Sequence, residues 1–209
     1  MRHTPLFDVT DPEVVAALID RTPWATITSV RRDGSMVASH YPVLRDASSD
    51  ELTLLTHVGK PDDDLHEFRD ADVLVVFQAD VHGYISPSWY AAADLPVPTW
   101  NFSAVHCWGR PELLDADENV SVLASLTDHF EQHIADRRVL EPAVAARIAK
   151  HALGLRIPVD RFTCKVKMSQ NKSPETQQRV IDALEREGEP FADPALAAEM
   201  RRVLGLPAS

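Results

Sequence analysis

The sequence predicts an α+β domain in which strands dominate the first half of the chain and helices the second. Three observations support this fold class. β-Branched segments recur at regular spacing from Trp24, amphipathic helical patterns begin after Asp115, and two strand patterns precede two closing helices. Short strands at such spacing are typical of a barrel. The chain has 209 residues, of which 44% are hydrophobic and 25% charged, so it can bury a substantial core.

The first half is predicted to contain one helix followed by a series of strands. Asp11 caps a helix that has proline at its first position and ends near Thr22. Asp33-Gly34 is the turn of the hairpin that follows. We predict strands over Trp24–Val30, Met36–Leu44, Leu52–His57, Val73–Gln78 and Trp100–Leu114, a short helix over Asp63–Arg69, and a proline-marked loop over Pro87–Pro98.

The second half is predicted to be mainly helical. Apolar residues recur at helical spacing from Glu118 to Ile134 and from Pro142 to Leu153. Strands at Gly154–Pro158 and Arg161–Met168 then precede helices at Pro174–Glu187 and Pro194–Leu204. Because prolines at 190 and 194 separate the last two helices, we expect residues 1–187 to form one domain and residues 188–209 an accessory C-terminal helix.

Charge and cysteine content limit the partners and the compartment. There are 21 Lys+Arg against 32 Asp+Glu, a formal net charge of −11, and the basic residues are scattered. Nucleic-acid binding by the chain alone is therefore disfavoured. Cys107 and Cys164 have no Cys-x-x-Cys spacing, and no stretch approaches the roughly 18 apolar residues of a membrane span. We expect a reduced, soluble, cytoplasmic protein.

Several standard catalytic motifs are absent. Gly59-Lys60 lacks the upstream glycine of a P-loop, and no Gly-x-Ser-x-Gly elbow occurs. His129 and His133 have the i, i+4 spacing of metal ligands, but the glutamate stands one place late for His-Glu-x-x-His. A solvated helix face explains these two histidines better than a metal site does.

Six sequence blocks carry a resemblance to a known family. They are Ala38–Leu44, Val75–Gln78, Tyr84–Tyr90, Val97–Phe102, Val105-His106 with Gly109-Arg110, and Lys165–Lys172. In this order they resemble the PaiB-like proteins, usually described as FMN-binding negative transcriptional regulators, from about residue 1 to residue 187. The resemblance implies a split β-barrel of the pyridoxamine-phosphate-oxidase-like class, paired as a homodimer with the cofactor in the groove between the barrels.

Residues of these blocks also suit a flat cofactor. Aromatic side chains in a loop rich in Pro, Ser and Asn can supply planar apolar walls, although a core or a dimer interface explains them equally well. The polar run 169–172 can bind a ligand through its amides or cap the helix that follows it. The residues that we expect to contact the cofactor here are Trp89, Trp100, Asn101 and Gln170.

One segment departs from the family pattern. After the strand ending at His57, PaiB-like proteins continue with a segment such as His-x-Ala-Arg-Ala-Asn-Pro-x-Trp, whose basic residue is expected near the flavin phosphate. Here Lys60 takes the place of the arginine, three carboxylates follow it, and Leu65-His66 closes the segment. Lysine lacks the bidentate fork that suits a phosphate, and neighbouring carboxylates repel the dianion.

A weakened phosphate site with an added histidine suggests haem as the cofactor, held by His66 as the axial ligand. His57 is the next candidate ligand, ahead of His40 and His106. As a ligand, His66 is expected on a short helix that lines the groove outside the core. The other reading is that the carboxylates favour a helix N-terminus and that His66 is an exposed residue on this helix. FMN, with Lys60 as its phosphate contact, is the alternative cofactor. The protein would then be an FMN-binding PaiB-like transcriptional regulator or a flavin oxidoreductase.

The haem reading points to one branch of the family. The chain resembles piperazate synthases, which use haem to form an N–N bond in a hydroxylated ornithine with loss of water. This resemblance implies a small amino-acid-like substrate. Tyr84, Ser86 or His106 would then move protons, and Lys167, Arg110 or Lys60 would hold the substrate carboxylate.

Overall fold

The structure is a computed structural model that describes residues 1–207. The chain folds as two compact units. The first unit comprises Met1–Thr10, Gln78–Ala104 and Thr163–Ser209, and the second comprises Asp11–Phe77 and Val105–Phe162. Each unit is therefore assembled from segments that are distant in the sequence.

The elements confirm the α+β class. Within residues 1–207 they are, in chain order, β1 (Asp8–Val9), α1 (Pro12–Arg21), β2 (Trp24–Val30), β3 (Met36–Arg45), β4 (Thr53–Gly59), α2 (Lys60–His66), β5 (Val73–Gln78), β6 (Gly83–Ile85), a 3₁₀ turn (Pro87–Trp89), β7 (Thr99–Gly109), β8 (Glu112–Leu113), α3 (Ala116–Glu131), α4 (Pro142–Ala149), β9 (Ala152–Pro158), β10 (Arg161–Lys167), α5 (Pro174–Leu184) and α6 (Pro194–Leu204). None of these helices is long and apolar enough to cross a membrane.

Helix starts in the second unit follow from local sequence signals. The Asp11 carboxylate accepts a hydrogen bond from the Glu13 N–H, and Pro12 supplies the fixed φ of a first helical position in α1. In α3, Asp115 and Glu118 form a reciprocal capping box. Helix α2 begins at Lys60, three residues earlier than predicted, because proline at 61 also suits a first helical turn.

The second unit contains an antiparallel sheet in the order β5-β2-β3-β4-β9-β8. Its two faces are covered by different helices. Ser39 of β3 contacts the last residue of α2, whereas Leu44, five positions later, packs on the apolar cluster of α3. Since strand residues an odd number of positions apart point to opposite faces, we call these the α2 face and the α3 face.

Particular residues of the sheet follow this alternation. On β2, Ala25, Ile27 and Ser29 are buried on the α2 face, while the residues at both ends of the strand are exposed. On the α3 face, Leu44 pairs with Leu55 of β4, and both pack against the cluster Leu114, Val122 and Leu126. Amphipathic strands of this kind explain why the sequence pattern located β2 and β5 at their observed bounds.

The first unit contains the strand order β1-β10-β7, with β6 paired to β7. Helices α5 and α6 complete it. In α6, Leu196, Ala197 and Met200 are completely buried, and the Met200 sulfur accepts a hydrogen bond from Asn101 Nδ2 at 3.3 Å. The compact units thus divide the chain differently from the predicted boundary at 187/188, because the apolar face of α6 packs within the first unit.

The predicted strand Trp100–Leu114 is two strands in the structure. Strand β7 ends at Gly109 and β8 begins at Glu112, so the break falls at Arg110-Pro111. Proline cannot donate a ladder hydrogen bond, which ends the first strand there. A Cβ at Gly109 would lie 2.0 Å from the Pro158 carbonyl oxygen, so a larger residue could not occupy this crossing.

Candidate functional site

The clearest polar site in the second unit is built around His66, the last residue of α2. Its Nδ1 lies 2.9 Å from Ser29 Oγ, and its Nε2 lies 3.0 Å from Ser39 Oγ. Ser29 Oγ also donates to the His66 carbonyl oxygen at 3.1 Å. The imidazole stacks on Phe68 with ring centroids 4.7 Å apart. Both ring nitrogens of His66 are therefore paired.

The hydroxyl of Ser29 determines the tautomer of His66. A serine hydroxyl carries one proton, and the carbonyl oxygen of His66 can only accept. Both contacts are satisfied when Ser29 donates to that carbonyl and accepts from Nδ1–H. The Nε2 lone pair then accepts from the Ser39 hydroxyl. His66 is thus placed with Nε2 as its basic nitrogen, as metal-ligating histidines usually are.

Burial keeps this imidazole neutral. It lowers the pKa of His66 from the ordinary value, and the charge of Asp62 opposes that shift. The expectation that His66 lies exposed outside the core is wrong, because the residue is fully buried on the α2 face. Ser29 could have given the clue, since a serine at a buried strand position next to Ile27 requires a polar partner.

The start of α2 does not fit a phosphate. The Gly59 N–H donates to Tyr41 Oη at 3.3 Å, and the Tyr41 hydroxyl donates to Asp62 at 2.8 Å. The Lys60 N–H donates to the His151 carbonyl oxygen at 3.1 Å, and proline at 61 has no N–H. The exposed Lys60 side chain is followed by three carboxylates. The Gly59 and Lys60 N–H groups are therefore already used, and the local charge is negative.

His57 lies on β4, opposite Gly154 of β9. Burial lowers its pKa, so its imidazole is neutral at pH 7. Its Nδ1 is buried and finds no hydrogen-bond partner within residues 1–207. His57 therefore belongs to the α3 face, whereas His66 belongs to the α2 face.

His106 and Lys167 also have altered acidities. Burial lowers the pKa of His106, whose ring lies edge-on to Trp108 at 5.9 Å between centroids. Burial, together with the charges of Lys165 and Lys172, lowers the pKa of Lys167. The Lys167 ammonium donates to Thr99 Oγ1. His106 lies in the second unit and Lys167 in the first.

Aromatic residues in the first unit separate into two environments. Trp89 is 8% exposed in the 3₁₀ turn and belongs to the core. Trp100 is 54% exposed and lies against Tyr84 and His82, with ring centroids 6.3 Å apart in each case. Tyr84 also contacts Phe191 at 5.0 Å. Trp100 and Tyr84 thus form a surface aromatic cluster, which Trp89 does not join.

The remaining predicted site residues of the first unit make structural hydrogen bonds. Asn101 is fully buried and exchanges hydrogen bonds with Ser169 Oγ at 3.0 and 3.2 Å. Gln170 accepts from the Met168 N–H and donates to the Val166 carbonyl oxygen. Ser86 Oγ caps the 3₁₀ turn. The sequence pattern identified these polar groups. It did not show that they are hydrogen-bonded to the protein's own backbone and side chains.

The site residues found by the sequence therefore fall in both units. In the first unit lie Tyr84, Ser86, Trp89, Trp100, Asn101, Lys167 and Gln170, and in the second lie His57, Lys60, His66 and His106. No group of three or more His, Cys, Asp or Glu residues that could hold a metal ion occurs in the described part of the chain. An axial haem ligand requires only one imidazole, and the second unit contains the candidates His57, His66 and His106.

The arrangement of strands defines the class of protein. The fold is a split β-barrel, as solved structures of similar fold support. An FAD and haem binding protein from Mycobacterium smegmatis superposes with a TM-score of 0.61 at 20% identity, covering 82% of this chain and 78% of that one. The flavocytochrome Anf3 from Azotobacter vinelandii gives 0.60 at 16% identity, covering 80% and 72%. At these identities the likeness shows the fold alone.

Sequence comparison then identifies the family. The chain belongs to the family described as "Putative FMN-binding domain", whose model matches residues 1–161. It is also 30% identical over 191 residues to protease synthase and sporulation protein PAI 2 from Bacillus subtilis, covering 89% of this chain and 90% of that protein. The PaiB-like resemblance and the split-barrel fold predicted from the sequence are both confirmed.

Proposed function

We propose that the protein binds haem through His66 Nε2 and catalyses N–N bond formation of the piperazate synthase type. The observation that carries this proposal is the Ser29 hydrogen bond, which fixes the proton on Nδ1 and leaves the lone pair on Nε2. Ligation requires the Ser39 side chain, which is half-buried, to turn away from Nε2. Because His66 is fully buried, the haem must also gain access to Nε2.

FMN is the competing cofactor, because the family description names it. The local structure at the start of α2 disfavours the phosphate contact that the sequence suggested for Lys60. Its Gly59 and Lys60 N–H groups are already paired, and Asp62, Asp63 and Asp64 surround the position with negative charge. Of two proteins of similar fold, one is an FAD and haem binding protein and the other a flavocytochrome, which makes haem compatible with this architecture.

The proposed reaction is a dehydrating ring closure. The α-amine nitrogen of an N-hydroxylated ornithine forms a bond to the side-chain nitrogen, the N–O bond breaks, and the hydroxyl leaves as water with a proton from the amine. Bound haem would supply Lewis-acid assistance to the departing oxygen. The neutral His106 is a candidate to accept the amine proton, and the Lys167 ammonium is a candidate to bind the carboxylate.

Two hydroxyl groups complete the set of proton carriers that we considered. Tyr84 is half-buried beside the exposed Trp100 and keeps its hydroxyl available for a substrate. Ser86 accepts from the Ser88 N–H as a cap, which reduces its freedom to act in proton transfer. Within this proposal, Tyr84 is therefore preferred to Ser86.

We also propose that the protein acts as a homodimer. On β2 and β3 the α3 face carries Trp24, Val30 and Met36, which are 63%, 56% and 75% exposed. Exposed large apolar side chains at both ends of one strand favour an interface, and a second copy of the chain is the partner that the family resemblance implies. Sedimentation of the cofactor-loaded protein should give twice the 23.2 kDa chain mass; a monomer at micromolar concentration would exclude the dimer.

The absorption spectrum of the purified protein tests the cofactor. We expect a Soret band, and we expect Ser29→Ala to weaken haem binding because Nδ1 loses the acceptor that fixes the tautomer. Ser39→Ala is the matched control, since it removes the hydroxyl that covers Nε2 and should preserve or strengthen haem binding. A yellow protein with flavin bands would overturn the haem proposal, and equal losses in both serine variants would overturn His66 as the ligand.

Turnover provides the test of the reaction itself. The haem-loaded protein should convert an N-hydroxylated ornithine to a cyclic hydrazine with one water released per ring closed. Mass spectrometry measures the loss of one water from the substrate. Haem binding without this product would retain the cofactor proposal and reject the enzymatic one.

A further inference from the structure

Two buried polar atoms lie between α3 and the pair of strands β4 and β9. Neither His57 Nδ1 nor Asn119 Oδ1 finds a hydrogen-bond partner within residues 1–207. Asn119, in the first turns of α3, is 5% exposed. Buried polar side-chain atoms are normally hydrogen-bonded, so two unpaired atoms in one region require an explanation.

Strand register places the two side chains over the same point of the sheet. His57 stands directly opposite Gly154, and opposite residues of antiparallel strands point to the same face with Cβ positions about 4.5–5.5 Å apart. A Cβ built on Gly154 would lie 2.9 Å from Asn119 Oδ1. The missing side chain of Gly154 thus makes room for the Asn119 amide beside the His57 imidazole.

The orientation of the Asn119 side-chain amide is set by the hydrogen bonds of its Nδ2 group. Nδ2 donates to the carbonyl oxygens of Ala149 at 3.2 Å and Ala152 at 2.9 Å. A flipped amide would place Oδ1 against these two carbonyls, so the observed orientation is the favourable one. Oδ1 is consequently an acceptor directed towards the Gly154 position, and it requires a donor.

We propose that Asn119 is a positioning residue for His57, directing the proton of His57 to Nδ1 so that Nε2 carries the lone pair. The Nδ1–H group reaches Asn119 Oδ1 directly after a small side-chain movement. Because Oδ1 only accepts, direct contact is possible with the Nδ1–H tautomer and not with the other. Asparagine orients a histidine in this way in some catalytic sites.

The consequence is a second imidazole with a defined basic nitrogen. His57 is only half-buried as a residue, and of its two nitrogens Nδ1 is the enclosed one. Nε2 is then available to accept a hydrogen bond or a proton from a donor such as an ammonium or hydroxyl group at the α3 face. This role does not depend on whether haem or flavin is the cofactor.

The test is the tautomer of His57 in the full chain, measured by long-range ¹H–¹⁵N NMR at neutral pH and assigned with His57→Gln. We expect the wild type to show a protonated Nδ1 and an unprotonated Nε2. Asn119→Ala should lose this preference. Gly154→Ala fills the shared space and should also lose it.

Thr127→Val is the control for disturbance of α3. It removes the hydroxyl that donates to the Leu123 carbonyl oxygen in the same helix and should leave the His57 tautomer unchanged. If Asn119→Ala does not fold, the tautomer of the wild type and that of Gly154→Ala decide between the outcomes. A wild type with the proton on Nε2, or a tautomer that is unchanged in Gly154→Ala and in any folded Asn119→Ala, would overturn the positioning role.

Discussion

The two faces of the second unit's sheet give a buried histidine different hydrogen-bonding environments. On the α2 face, His66 has hydroxyl partners for both ring nitrogens and a stacked phenyl ring. On the α3 face, His57 has a buried Nδ1 without a partner among the described residues. A serine hydroxyl both donates and accepts, so it adapts to either nitrogen, whereas an amide oxygen only accepts. Pairing of a buried imidazole therefore depends on its neighbours.

Replacing each histidine by alanine should give the largest difference in unfolding free energy between the two faces. His66→Ala removes two hydrogen bonds and a ring stack, leaves a cavity, and takes the nitrogen partners from Ser29 and Ser39, so we expect a loss of about 3 kcal/mol of unfolding free energy. His57→Ala, at a half-buried position, should cost about 1 kcal/mol. Urea unfolding of both variants measures the difference, and equal losses would contradict the comparison.

Acid should destabilise both faces through their neutral imidazoles. Burial lowers the pKa of His57 and of His66 below the ordinary value of 6.5, so the unfolded chain binds protons first as the pH falls. Stability should be unaffected well above pH 6.5, decline as the pH falls below it, and level off once the folded-state pKa values are passed. Unfolding curves between pH 8 and pH 5 measure this.

The variant His57→Gln and the behaviour in stronger acid show which groups cause this pH dependence of stability. His57→Gln should flatten part of the decline, because one depressed imidazole is removed. Asp94 acts separately, since the Ser173 hydroxyl lowers its pKa below 3.8 and its contribution is lost only in stronger acid. An unchanged slope in His57→Gln would show that His57 is not buried as a neutral group.

The sequence predicted the strands better than it predicted these environments. Apolar alternation gave the bounds of β2 and β5 because it records which side of a strand is buried. It also indicated His57 and His66 as candidates. It could not show that Ser29 and Ser39 enclose His66, because that contact joins three elements whose register is set only in the folded sheet.

Residues 169–172 illustrate the same limit in the first unit. A polar run after a strand is compatible with ligand binding and with a turn fastened by its own side chains. In the structure Ser169 pairs with Asn101, and Gln170 bonds the backbone on either side. Composition revealed the polar groups, but only tertiary packing revealed their partners.

The smallest expected effect comes from replacing His57 by phenylalanine. The change removes His57 Nδ1, with its one proposed contact to Asn119 Oδ1, and keeps a planar ring of similar size at a half-buried position of the α3 face. The unfolding free energy should therefore stay within about 1 kcal/mol of wild type. His66→Phe is the matched variant, since it leaves Ser29 and Ser39 without their nitrogen partners and should cost about 2 kcal/mol. Denaturant titration of the pair measures this contrast. A loss in His57→Phe as large as that in His66→Phe would show that the two imidazoles contribute equally to stability, and the contrast between the two faces would not hold.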